Sequence, residues 1–201
     1  MNNKYPPSYF ESQCWYKNTY LVNQTNYIYE SNSVYNAGCH FTCIAMMFGI
    51  TPAYLSSLLS GHKYFTIDDE DLMWDQNRPF CEGHEVIIPE RQNKVGWQKA
   101  SILKLIHKYE CKNIADVEAL VKKHSASNIH FIVGGETHSL LIAGENDGSY
   151  YLWDPNTEFE TSEKDAIAKC INGKLSLEWA FSEYCEHLIH LWVHEIIEKE
   201  G

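Results

Sequence analysis

Apolar residues recur at positions 41, 44, 45 and 48 of the run Phe41–Phe48, the i, i+3, i+4, i+7 spacing of a buried helical face. The turn formers Asn36 and Gly38 precede it, so the pattern predicts a helix with Cys39 in or just before its first turn. Thr51-Pro52 fits an N-cap followed by proline at the first helical position. Tyr54, Leu55, Leu58 and Leu59 extend that second helix to a stop at Gly61. Helical spacing is also read over Trp97–Tyr109 and over Ala115–Lys123, the latter opening at Asn113 or Asp116 with Val117, Leu120 and Val121 on one face. The period then changes. Ile129–Val133, Ser139–Ala143 and Tyr150–Trp153 are short β-branched or aromatic runs, and Asp147-Gly148 between the last two is a strong hairpin signal. A further helix is expected over Ser162–Cys170. The closing run Leu188–Ile197 reads either as a helix or as an alternating strand with His190, Trp192 and His194 on one face.

The remainder is less periodic. Residues 1–36 read as an irregular arm rich in Tyr, Asn and Ser, with a short strand around Tyr20–Val22. Residues 63–97 are interrupted by acids, Pro79, Gly83 and Pro89, with one short strand at Glu85–Ile88; the length suggests a flap or small insertion. Helices followed by an antiparallel sheet predict an α+β fold, in a single domain over 1–201.

Charge narrows the partners. Twenty-seven acids against 16 Lys and Arg give a net charge of -11, which argues against a nucleic-acid backbone or an anionic membrane surface. No window approaches 18 consecutive apolar residues, and the N-terminus Met1–Pro7 has no apolar h-region. The expectation is a cytoplasmic protein, or one exported without a Sec signal. Seven cysteines, an odd number without a CxxC pair, argue against a disulfide framework and a zinc ribbon. Most read as small buried hydrophobes.

Cys39 is the exception, because unpaired N–H groups and the positive end of a helix dipole favour a thiolate. His138 starts one strand of the expected hairpin, and Asp154 follows its partner. The start of one hairpin strand lies beside the end of the other, so the carboxylate can hold one imidazole nitrogen and leave the other for the thiol of Cys39. This requires the N-terminus of the Cys39 helix to pack against that edge of the sheet.

With their surroundings, these residues resemble the papain-like cysteine peptidases, specifically the C39-like branch that includes bacteriocin-processing and phage-lysin-type domains. Gly38-Cys39-His40-Phe41-Thr42-Cys43-Ile44-Ala45-Met46 is similar to the branch's Gly-Cys, two variable residues, Thr-Ser and Ala-Met. Thr137-His138 with the strand to Gly144, and Tyr151-Leu152-Trp153-Asp154-Pro155, resemble its His-strand-Gly and strand-Asp-Pro pair. The resemblance implies a papain-like fold, a Cys39–His138–Asp154 triad, and a peptide or protein substrate, with no metal or organic cofactor. It also implies a glutamine ahead of the nucleophile that donates to the oxyanion. Ser12-Gln13-Cys14-Trp15 matches that pattern, and Gln24 and Asn32 are the alternatives. His40-Phe41 departs from the Gly-Pro of many relatives, and Cys43 replaces the usual serine.

Rival readings remain. The same residues suit transfer to an amine, as in a transamidase or acyltransferase, and a non-catalytic binding module would keep the fold. Cys185, His187, His190 and His194 combine metal-ligand types, although no recognised metal motif has their spacing. Cys43 lies one turn from Cys39 and is a candidate resolving thiol, hindered by helix geometry. The acids at 68–71 and 195–200 read as solvated faces.

Overall fold

The computed structural model describes residues 2–19, 33–59, 85–135, 138–158, 163–184 and 189–199. The expected strand at 20–22, the helix stop at Gly61, the acids at 68–71, Gln24, Asn32, Cys81, Cys185 and His187 lie outside them.

Helix α1 (Val34–Ala37) is a single turn capped by Ser33, whose hydroxyl accepts the Asn36 N–H. Gly38 ends it, donating to the Val34 carbonyl, and α2 (Cys39–Phe48) begins at the next residue. All ten residues of α2 are buried, including His40 and Thr42, which exceeds the one-sided burial that its spacing predicts. Gly49 ends α2 in the left-handed region at φ 63°, and a side chain there would run into the Tyr9 ring. Helix α3 (Pro52–Leu59) starts at the predicted proline and crosses α2 at 87°. Among the described residues, no single helix is long and apolar enough to cross a membrane.

The other helices are α4 (Ile114–Lys123), opened by Asn113 accepting from the Asp116 N–H, then α5 (Glu163–Ile171) and α6 (Leu177–Tyr184). The strands are β1 (Asn2–Asn3), β2 (Glu85–Ile88), β3 (Arg91–Asn93), β4 (Gly96–Gln98), β5 (Ser101–Cys111), β6 (Ile129–Gly134), β7 (Ser139–Asn146), β8 (Ser149–Trp153) and β9 (Ile189–Glu198). Seven of them form one sheet in the order β1-β7-β6-β9-β5-β2, with β8 also paired to β7, and every pairing is antiparallel. Strands β3 and β4 make a separate hairpin. The protein is therefore α+β, although strand β5 precedes α4 and helices α5 and α6 interrupt the sheet, so the helices do not all come first.

The helix expected over Trp97–Tyr109 is wrong, because these residues enter β4 and β5. Apolar Ile102, Leu103, Leu105 and Ile106 satisfy helical and strand spacing equally. Pairing of β5 with β2 on one side and β9 on the other decides for the strand, and the β-branched Ile102 and Ile106 suit it. Ser101, Leu103 and Leu105 are buried in alternation until a bulge between Leu105 and His107 shifts the register. The closing run settles as strand β9, with His190, Trp192 and His194 on the alternating positions that reading expects.

The 1–36 arm contains β1 and two 3-10 turns, Pro7–Tyr9 and Gln13–Trp15. The β3–β4 hairpin fastens it to the end of α2. Asn93 donates to the Tyr9 hydroxyl and to the Phe48 carbonyl, Lys94 pairs with the buried Glu11, and the Arg91 guanidinium lies 4.5 Å over the Phe48 ring.

Candidate active site

The site lies where α2 begins, β7 begins and β8 ends. Strands β7 and β8 are joined by Asp147-Gly148, both at positive φ (51° and 85°), the two-residue turn the sequence predicts. Antiparallel pairing then sets His138, just before β7, beside Asp154, just after β8. Helix α2 packs on β7 and β6, which brings Cys39 to the same edge. Cys39, His138 and Asp154 are 3%, 6% and 4% exposed.

His138 Nε2 and Asp154 Oδ1 are 2.7 Å apart, and the Cys39 side chain is near enough to interact with the same imidazole. With Nε2 committed to the carboxylate, Nδ1 is the ring nitrogen left for the thiol. Burial opposes a charged ring, but the hydrogen bonds to Asp154 and Cys39 and the charges of both outweigh it, raising His138 to about 10. Asp154 is anchored three ways: its Oδ1 also accepts the Asn156 N–H at 2.7 Å, and its Oδ2 accepts the Tyr184 hydroxyl at 3.0 Å. Its own N–H lies 3.4 Å from the Cys170 sulfur.

Cys39 occupies the first position of α2, after an N-cap glycine that supplies no side-chain acceptor. The first-turn N–H groups of a helix lack partners within it, so this end presents donors where the sulfur sits.

Gln13 is buried on its 3-10 turn. Its backbone N–H donates to Pro155 O, next to Asp154, and its amide Nε2 donates to the Tyr35 carbonyl at 2.8 Å, four residues ahead of Cys39. It thus bridges the two segments that carry Asp154 and Cys39. One of the two amide N–H bonds remains beyond the one given to Tyr35.

Two of the sequence departures turn inward. His40 lies against Trp192 and His194, with ring centroids at 4.9 and 5.7 Å, and its Nδ1 is 3.4 Å from the Ser139 hydroxyl. Cys43 donates to the Ser139 carbonyl at 3.7 Å, and burial, then the charges of Cys39 and Asp154, hold its thiol well above the ordinary range. A thiol so held is a poor resolving nucleophile. Cys14, Cys39, Cys43 and Cys111 are free thiols. Among the described residues, no group of three or more His, Cys, Asp or Glu side chains is arranged to hold a metal ion.

Sequence reasoning missed Tyr184, Asn156 and the whole of α6. Leu177, Ala180 and Tyr184 have i, i+3, i+7 spacing after the turn at Gly173, a signal strong enough to have placed that helix.

No family model, no curated protein and no solved structure matches this chain.

Gly134 closes the frame behind His138. It pairs with Ser139 across β6 and β7, and a Cβ at this position would lie 2.1 Å from the His138 carbonyl oxygen. Gly134→Ala must therefore displace the backbone that carries the imidazole. The expected outcome is a roughly hundredfold slower reaction of Cys39 with iodoacetamide at neutral pH, since misplacement by about 1 Å has that scale of effect on a positioned reaction. Rates within threefold of the unsubstituted protein would show that the strand absorbs the methyl without moving His138.

Proposed function

We propose that this protein is a cysteine peptidase with a papain-like fold, cleaving a peptide or isopeptide bond through a thioester on Cys39. The observation that carries the reading is the buried His138–Asp154 hydrogen bond at 2.7 Å, with Cys39 at the start of α2 interacting with the same imidazole. The sequence resemblance to the C39-like branch supports the same assignment.

In this reading the thiol proton of Cys39 already rests on His138, and the Cys39 thiolate attacks the carbonyl carbon of the scissile bond. The tetrahedral oxygen is held by the backbone N–H of Cys39 and the spare amide N–H of Gln13. His138 then gives its proton to the leaving amine as the C–N bond breaks and the thioester forms. Water, deprotonated by the same nitrogen, attacks the thioester and releases the acid. Asp154 fixes the ring orientation throughout and carries the compensating negative charge.

The test is alkylation followed by peptidase assay. Limiting iodoacetamide at pH 6–7 is expected to label Cys39 ahead of the other cysteines and to stop cleavage of a mixed peptide library in proportion to labelling. If Cys39 reacts no faster than Cys14, which is more exposed, the nucleophile assignment fails. Products carrying an added amine in place of water would move the assignment to a transamidase with the same residues.

A further inference from the structure

Asp154 is held from behind by a helix for which the proposed chemistry has so far had no use. Tyr184, the last residue of α6, donates its hydroxyl to Asp154 Oδ2 at 3.0 Å. Its ring lies 4.5 Å from the His138 ring, centroid to centroid, at a 49° tilt. One side chain therefore touches both members of the acid–histidine pair. Trp179, five residues earlier on α6, meets the Tyr184 ring edge-on at 5.6 Å. The space left between Asp154, Cys170, Trp179 and Tyr184 is a cavity of about 30 Å³. The pocket is partly open and has room for water, so Trp179 and Tyr184 line a small recess beside the carboxylate.

The carboxylate would be poorly served without this contact. His138 and the Asn156 N–H both use Oδ1, so the Tyr184 hydroxyl supplies the donor to the second oxygen. A carboxylate with both oxygens held cannot rotate away from the imidazole. The Tyr184 ring packed against the imidazole limits the water that would otherwise compete for the hydrogen bond and screen the charge.

We propose that Tyr184 is a positioning residue for the candidate triad: its hydroxyl fixes the Asp154 carboxylate, and its ring shields the His138–Asp154 hydrogen bond from solvent. The inference rests on the cysteine–histidine reading above, and its test is separate. His138 is followed by nuclear magnetic resonance in the full chain, reading its titration and the exchange lifetime of its Nε2 proton. Tyr184→Ala admits water to the pair, so both the burial of His138 and its charge interactions weaken together. Its titration then moves from the raised value toward the ordinary histidine value by about one pH unit or more, and the Nε2 proton exchanges roughly tenfold faster or more. Tyr184→Phe keeps the ring and removes only the hydroxyl, and falls between the two. A purely structural role would lower the melting temperature and leave the His138 titration unchanged; that result in both variants overturns the proposal. If the variants do not fold, the unsubstituted protein decides. A slowly exchanging Tyr184 hydroxyl proton with cross-relaxation to the His138 ring supports the proposal, and a hydroxyl in fast exchange with water overturns it. Slow alkylation of Cys39 in the unsubstituted protein would count against the peptidase reading, while the His138 data would still judge Tyr184.

Discussion

Cys39→Ser and His138→Ala are each expected to lower peptide cleavage by roughly 10⁴-fold or more, and the double variant to be little worse than either. In the proposed mechanism the two side chains act as a unit: the thiolate is the attacking form, and the neighbouring His138 holds the proton that stabilises it. Removing one leaves the other without a task, so the losses do not add. Asp154→Asn is a finer probe, because it keeps an acceptor in place for the His138 N–H and removes the charge. His138 is then expected to fall from about 10 toward the ordinary histidine value, and the change is read as a shift in the pH profile of Cys39 alkylation. Residual cleavage by Cys39→Ser at a tenth of the original rate would assign the reaction to another group. An unchanged alkylation profile in Asp154→Asn would remove the carboxylate from its assigned role.

The local elements that carry this chemistry were legible because each has a short-range cause. The α2 spacing, the Asp147-Gly148 turn and the β-branched runs on either side of it are each written within about ten residues, and the turn and its runs bring His138 and Asp154 to one edge. Long-range pairing was not written so plainly. Residues 101–109 fit a helix and a strand equally, and the choice was made by pairing with β2 and β9, whose partners of Ser101, Ile88 and Glu198, lie 13 and 97 positions away. The support behind Asp154 was illegible for a related reason. A tyrosine ending an eight-residue helix, 30 positions beyond the carboxylate it contacts, carries no sign of its partner in the sequence. Gln13 shows the intermediate case: the resemblance singled it out, and its amide bond to Tyr35 sets it beside the nucleophile segment, while its alternatives Gln24 and Asn32 lie outside the described residues.

Lowering the pH from 7.5 to 5 is expected to destabilise the fold by up to about 4 kcal/mol through two histidines alone. His130 on β6 and His194 on β9 are register partners in the sheet. Burial, then the charges of Lys4 and His194, lowers His130 to about 3, and burial lowers His194 to about 3. The Tyr5 hydroxyl meets His130 Nδ1 at 2.7 Å, an arrangement that suits a neutral ring accepting a hydrogen bond. Unfolded, both rings take up a proton near pH 6.5; folded, they refuse it until about pH 3. Between those values the unfolded state binds more protons, so each ring withdraws about 1.4 kcal/mol of stability per pH unit as pH falls. His40, lowered by burial and by the charges of His194 and Lys108, acts in the same direction. His138 offsets part of this above pH 6.5 and none below it. Its folded value is raised, so its contribution is fully present below pH 6.5 and is lost progressively, by about 1.4 kcal/mol per pH unit, as pH rises from there through about 10. A shift of 4 kcal/mol is a large part of the 5–15 kcal/mol typical of a domain, so the urea midpoint is expected to fall steeply between pH 6.5 and 5. His194→Leu should remove about one proton from that dependence and flatten it. A urea midpoint that stays level from pH 7.5 to 5 would mean that these rings are protonated in the folded protein, and that the polar layer beneath α2 is not the neutral one that His40, His130 and His194 make together.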